Sequence, residues 1–402
     1  METKTKKKTN AKRWIRPRHR VVITLVAPFI FLWAKCKYHI TVEKCPELKK
    51  RQSVILMNHQ TAFDQFYVSK AIFPRHAYFI ASEDIFSLGF LSKLLRWAVA
   101  PIPIKKQTTD VQAVMSCIRV AREGGTIALA PEGNRTFSGL PCYANPAIAP
   151  LVKKLGLPLA LFRIEGGYGI QPRWSDVCRK GKMRAYVSRI IEPEEYKNLS
   201  NEELNGLIQK ELFVDETQNP GPFRHQKLAE YLERAMYVCP DCGLSEFYSE
   251  NHTVSCKKCG KTAKYLPNQQ LEGENWPFPY VAQWYQYQVD YVNQLDTGAY
   301  LTEPLYRDTV MLSEVQPYKK KIPLGKRVPL ALYGNRLQAG DRTLFFDDIR
   351  VITVLGKNKL NIYHTDGIYQ IKGEPRFNGL KYMNIFYRYK NQQAGEGDFL
   401  GI

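Results

Sequence analysis

The chain has 402 residues, 44% of them hydrophobic and 24% charged, enough for two or three domains with their own cores. This excludes a disordered polyelectrolyte and a small disulfide scaffold. Its 58 Lys and Arg against 38 Asp and Glu give a formal charge of +20, which points to an anionic partner: nucleic acid, an acidic membrane surface or a phosphorylated substrate.

Nine of the first twenty residues are Lys or Arg against one Glu, so +8 of the charge lies in an amino-terminal arm. Val21 to Ala34 follows without a charge. As a helix it would reach roughly 21 Å at about 1.5 Å per residue, short of the ~30 Å hydrocarbon core, and Lys35-Cys36-Lys37 offers no small-residue cleavage site. The reading is a retained anchor lying on or dipping into one leaflet, with the arm on the anionic cytoplasmic side; the plain alternative is a buried core helix.

From about residue 50, short apolar runs alternate with helical patterns. Ser53–Met57, Tyr78–Ala81, Thr126–Ala130 and Pro158–Phe162 have the length of buried strands. Val111, Val114, Met115, Ile118 and Ala121 repeat at helical spacing, with Asp110 to cap the start and Gly124-Gly125 to end the helix. Strand, helix, strand in this order predicts an α/β fold with a mostly parallel sheet flanked by helices.

The first strand leads into Asn58-His59-Gln60-Thr61-Ala62-Phe63-Asp64. A carboxylate five positions after an imidazole can accept its second N–H, fix its tautomer and leave the other nitrogen as a base. The third run leads into Pro131-Glu132-Gly133-Asn134-Arg135, which offers a carboxylate, a glycine and a planar cation suited to phosphate. Ligands of α/β sheets bind outside the carboxyl ends of the strands, so both loops are expected to face one cleft.

Four of the nine cysteines form two CxxC pairs, Cys239/Cys242 and Cys256/Cys259, each followed by Gly; the other five are scattered singly, as in a reducing compartment. Two such knuckles make a closed four-thiolate site for a structural Zn2+, with His252 outside it. In Trp276–Leu295, Tyr280, Trp284, Tyr287 and Tyr291 share a helix face, expected to pack on a neighbouring unit. From Val328 onward the runs VPLALY, TLFF, IRVITVL, KLNIY, GIYQIK and YMNIFYRY read as strands, with turns at Leu355-Gly356-Lys357-Asn358 and Asp366-Gly367.

Asn58, His59 and Asp64, followed about seventy residues later by Pro131, Glu132, Gly133 and Arg135, resemble the motifs of the glycerolipid acyltransferases of the 1-acylglycerol-3-phosphate acyltransferase type, with Asn134 where that family has Thr. Gly156-Leu157-Pro158-Leu159 resembles its last block, and the resemblance covers roughly residues 20 to 230. Ile102-Pro103-Ile104-Lys105-Lys106 stands where the family commonly has Ile-Pro-Ile-Asp-Arg, so Lys106 supplies a point charge in place of a fork.

The resemblance implies a membrane-associated enzyme of phospholipid biosynthesis. It would pass a fatty acyl group from a thioester of acyl-carrier protein or coenzyme A to the free hydroxyl of a lysophospholipid. His59 and Asp64 would be catalytic; Asn58, Lys106, Glu132, Gly133, Asn134 and Arg135 would bind substrate. Backbone N–H groups near Gly133 are candidates for an oxyanion site.

The chain then divides into a basic arm and membrane-associated helix (1–40), an acyltransferase α/β domain (41–235), a zinc ribbon (236–268), an aromatic helical linker (269–304) and a small antiparallel β domain resembling a pleckstrin-homology domain (305–402). Its expected place is the cytoplasmic face of the cell membrane, monotopic or peripheral. The rival readings are a zinc-ribbon nucleic-acid-binding protein and an inactive membrane scaffold. Against nucleic acid, the densest charge adjoins the apolar anchor and not the ribbon.

Overall fold

The computed structural model describes residues 13–82, 90–104, 110–142, 144–219, 221–316 and 320–395. Helix α1 (Pro17–Tyr38) leads into β1 (Ile40–Val42), α2 (Pro46–Lys50), β2 (Val54–Met57), α3 (Asp64–Ile72), β3 (Ala77–Ser82), α4 (Phe90–Ala98) and β4 (Ile102–Ile104). Then follow α5 (Val111–Arg122), β5 (Thr126–Leu129), α6 (Ile148–Leu155), β6 (Leu159–Glu165), α7 (Gly167–Ile170), β7 (Met183–Ile191), α8 (Pro193–Tyr196) and α9 (Asn201–Leu212). The sheet order is β1-β7-β6-β2-β5-β3-β4, and every pair is parallel except β6 with β7.

The four apolar runs are all strands of this sheet. Along β2, Ile55 and Met57 enter the core on one side while Val54 and Leu56 enter the core on the other. Burial on both faces is why the run lacks polar alternation. Helix α5 begins where expected, with the Asp110 carboxylate accepting the Ala113 N–H at 3.0 Å. It is followed by Gly124 at φ +87°, a left-handed position that suits a residue without Cβ.

Helix α1 corrects the length argument. Pro17 starts it and His39, at φ +48°, ends it, so 22 residues span about 33 Å, long and apolar enough to cross a membrane. Yet His19, Ala27, Ala34 and Tyr38 are buried, and the helix packs against α3 and α4. The chain just before it is pinned as well: the Glu123 carboxylate accepts the N–H groups of Trp14 (3.1 Å) and Ile15 (2.8 Å).

The second half holds a compact cysteine unit and a curled β domain that share one core. Strands β8 (Val238–Cys239) and β9 (Gly243–Leu244) pair, and β10 (Phe247–Glu250), β11 (Thr253–Cys256), β12 (Thr262–Tyr265) and β13 (Leu271–Glu272) form an antiparallel sheet. Helix α10 (Val281–Asn293) lays its aromatic face on this unit. The Trp284 indole donates to the Val238 carbonyl at 2.8 Å, and Tyr291 stands so close to Gly243 that a Cβ there would fall 2.3 Å from its hydroxyl.

Beyond it, β14 (Tyr306–Glu314), β15 (Ile322–Leu332), β16 (Arg336–Ala339), β17 (Arg342–Phe345), β18 (Ile349–Leu355), β19 (Lys359–His364) and β20 (Ile368–Gly373) form an antiparallel sheet ordered β17-β16-β15-β14-β20-β19-β18. Both expected turns fall between its strands. YMNIFYRY, read as a strand, is instead part of helix α11 (Gly379–Ala394). The Asn378 side chain caps it through the N–H groups of Leu380 and Lys381, and Leu380, Met383 and Phe386 recur at helical spacing on its buried side. An aromatic-rich run has strand-like composition, but this cap and this period decide for helix.

Candidate active site

β2 and β5 are adjacent and parallel, so the loops that leave their carboxyl ends meet. The His59 Nδ1 lies 2.8 Å from Asp64 Oδ2. Asp64 is the first residue of α3 and fully buried. Its carboxylate also accepts the N–H groups of Gln60 (2.8 Å) and Thr61 (2.9 Å) and the Thr61 hydroxyl (2.7 Å). A carboxylate held this way cannot rotate, so it fixes the imidazole with its proton on Nδ1 and the lone pair on Nε2. The His59 side chain remains 26% exposed, so the imidazole reaches the surface of the cleft.

Glu132 ties the second loop to the first. One of its oxygens accepts the His59 N–H at 3.1 Å and the other accepts the Cys142 N–H at 2.9 Å. Burial pushes its carboxyl up to about 7, against the pull of those two bonds, and the nearby Asp64 adds to the rise. Its role in the structure is therefore to shape the loop.

Gly133 sits at φ +63°, and its own N–H donates to the Ala130 carbonyl at 3.1 Å. That N–H is engaged, which corrects its candidacy as an oxyanion donor. Asn134 is half-buried and already has a partner within the chain.

Arg135 lies near enough to the dyad for the Asp64 carboxylate to act on its charge. Burial lowers the preference of its guanidinium for charge, and Asp64 and then Tyr38 offset only part of that. Its guanidinium makes no hydrogen bond or salt bridge among the described residues, so the fork is available to an anionic ligand. Asn58, expected at the substrate, is buried with its amide engaged: it donates to the Ile164 carbonyl and accepts the Ile164 N–H, both at 2.8 Å. It bolts β2 to β6. Lys106 lies outside the described residues.

Sequence reasoning missed the end of α1. Tyr38 is fully buried beside the dyad, and Lys37 holds its ammonium over the rings of Trp33 (5.0 Å), Tyr38 (5.4 Å) and Phe63 (5.8 Å). Nothing in the local pattern marks them, because their place depends on how α1 docks.

A second site lies in the cysteine unit. The four Sγ atoms of Cys239, Cys242, Cys256 and Cys259 all lie within 4.8 Å of one another, and Cys239 and Cys259 are 3.7 Å apart. A tetrahedral zinc with Zn–S bonds near 2.3 Å needs sulfur separations of about 3.8 Å, so the donor set fits. Gly243 and Gly260, after the two pairs, both have left-handed backbone, as a tight knuckle requires. His252 is not among the clustered ligands.

An imidazole oriented by a buried carboxylate, with a nearby guanidinium unpaired among the described residues, is equipped to deprotonate a hydroxyl next to an anionic group. Residues 39–162 match the Acyltransferase family model, so this part of the chain is similar to the acyltransferases. The chain is 20% identical over 151 residues to the 1-acyl-sn-glycerol-3-phosphate acyltransferase of Bacillus subtilis (strain 168), which covers 37% of this chain and 72% of that protein. The crystal structure of the 1-acyl-sn-glycerophosphate acyltransferase PlsC from Thermotoga maritima aligns at a TM-score of 0.40 and 21% identity, covering 51% of this chain and 82% of that one.

Proposed function

We propose that this protein transfers a fatty acyl group from a thioester donor to the free hydroxyl of 1-acylglycerol-3-phosphate, giving phosphatidic acid at an anionic membrane surface. The observation that carries the reading is the His59–Asp64 pair, its imidazole part-exposed, near an Arg135 guanidinium that is unpaired among the described residues. In the reaction, Nε2 takes the proton of the acceptor hydroxyl as its oxygen bonds to the thioester carbonyl. The C–S bond then breaks, and the imidazolium returns its proton to the leaving thiolate. Asp64 holds the ring throughout, and Arg135 binds the acceptor phosphate. The sulfur-to-oxygen acyl transfer needs no acyl-enzyme.

The membrane side of the reading rests on α1 and α4. Val21, Leu25, Phe29 and Leu32 form one outward stripe on α1, and Phe90 and Trp97 are exposed on α4, which Arg18 ties to α1 through the Trp97 carbonyl at 3.0 Å. An apolar surface of this size beside a basic arm suits a monotopic helix pair on the cytoplasmic leaflet. The four-cysteine cluster holds a structural zinc ion, with no coordination position left for substrate.

The test is the purified chain on a panel of lysophospholipids with acyl-carrier-protein and coenzyme A donors, products identified by mass spectrometry. Formation of phosphatidic acid, lost by at least about a hundredfold in His59→Ala with an unchanged unfolding temperature, is the expected result. Full activity in His59→Ala rules the mechanism out.

A further inference from the structure

The loop that carries Arg135 is held from outside its own strand. After β6 the chain turns through α7 and runs as a strap over residues 171–182 to β7. The Arg173 Nη1 donates to the Arg135 carbonyl at 3.0 Å, and its guanidinium lies 4.1 Å from the centre of the Phe137 ring. The Tyr168 hydroxyl donates to the Phe137 carbonyl at 3.2 Å and is itself held by the Trp174 indole at 3.1 Å.

The other end of the same guanidinium reaches a different domain. Arg173 Nη2 donates to the carbonyl of Val354 on β18 at 2.8 Å, 181 residues away in the chain. Arg173 is 6% exposed, and burial first, then Arg135 beside it, pushes its guanidinium down to about 9, which leaves it a cation at neutral pH. A planar fork is suited to meeting two carbonyls in two fixed directions.

The β domain also grips the strap next to Arg173. Lys357, in the turn between β18 and β19, donates to the Ser175 carbonyl and the Asp176 carboxylate, both at 2.6 Å. Arg234 binds the same carboxylate at 2.8 and 3.0 Å.

We propose that Arg173 is a positioning residue through which the carboxy-terminal β domain sets the Arg135 side chain for the acceptor phosphate. This rests on the reading of the site as an acyltransferase with a phosphorylated acceptor. Fixing the Arg135 carbonyl fixes the peptide plane from which its side chain departs, and a misplacement of about 1 Å in such a group is worth on the order of a hundredfold in rate. The β domain thereby acts on the reaction without touching substrate.

The experiment uses the full chain with Arg173→Met and Arg173→Lys, each with and without Arg135→Ala. With 1-acylglycerol-3-phosphate, Arg173→Met raises the acceptor KM about tenfold with kcat within about threefold, Arg173→Lys recovers part of the loss, and neither adds to the effect of Arg135→Ala. Amide exchange of residues 134–137 speeds up about tenfold in Arg173→Met and less in Lys357→Ala, a readout that needs no turnover. Equal KM effects with and without Arg135, or unchanged exchange at 134–137, overturn the proposal. If Arg173→Met fails to fold, Lys357→Ala carries the exchange test with the same two outcomes. A parent chain inactive on every acceptor overturns the acyltransferase reading instead, and exchange then decides the positioning claim alone.

Discussion

Asn58 and His59 are neighbours in the chain with unrelated work. His59 faces the cleft, while the Asn58 amide closes on the Ile164 backbone. The motif was legible as a set of residue types at a spacing, and so was the meeting of the two loops. The direction of each side chain was not, because it depends on how β2 sits against β6. Asn58→Ala leaves the Ile164 N–H and carbonyl without their partner inside the sheet, at about 1–3 kcal/mol for each buried group left unsatisfied. The expected outcome is a loss of roughly 2–4 kcal/mol in urea unfolding, with kcat of the folded fraction little changed. A loss of kcat at unchanged stability would make Asn58 a substrate contact.

Among the elements, the buried strands were the easiest to read and the two long terminal helices the hardest. Apolar runs of four to seven residues bounded by turn signals have few alternatives, whereas α1 is longer than its uncharged core because charged residues extend it at both ends. For α1, the outward stripe gives a direct test. Leu25→Glu with Phe29→Glu places two charges on the exposed face without touching the buried one, and each large side chain withdrawn from lipid forgoes about 1.5–3 kcal/mol. Flotation with anionic liposomes is expected to fall by a factor of thirty or more, with the unfolding temperature unchanged. Binding equal to that of the parent chain would return α1 to the role of a packing helix. The cysteine unit was legible because two CxxC-Gly pairs allow few other uses. Metal analysis is expected to give one zinc per chain. Since Trp284 and Tyr291 of α10 rest on the knuckles, stripping the metal with a strong chelator is expected to lower the unfolding temperature by on the order of 5 °C or more.

At the scale of the whole molecule the charge of +20 is a poor guide to pH behaviour, because the groups that govern it are buried and few. His76, packed against Tyr78 and bonded to the Val99 carbonyl at 3.1 Å, has its pKa lowered to about 4, chiefly by burial. Its folded form prefers the neutral ring, so its contribution is complete above the unfolded value of 6.5 and is lost as pH falls from there toward 4. Glu132 and Glu216 act in the opposite sense. Burial raises them to about 7 and about 8, against the pull of nearby backbone N–H groups, so the folded chain holds their protons longer than the unfolded chain does. Their contribution is complete below 4.5 and is lost as pH rises through 7 and 8. Each group changes stability by at most about 1.4 kcal/mol per pH unit inside its window. Between pH 6.5 and 8 the unfolded histidine holds at most half a proton, so the two carboxyls set the direction and stability declines. The Glu216 side chain accepts the Gly166 N–H at 2.7 Å through one oxygen and leaves the other unpartnered, a geometry a neutral amide can adopt. Glu216→Gln is therefore expected to fold and to flatten the decline between pH 7 and 8, over which Glu132 passes from about half to about nine-tenths ionised. Urea unfolding at half-unit intervals from pH 6 to 8.5 measures it, and a slope in Glu216→Gln equal to that of the parent chain would sink the assignment.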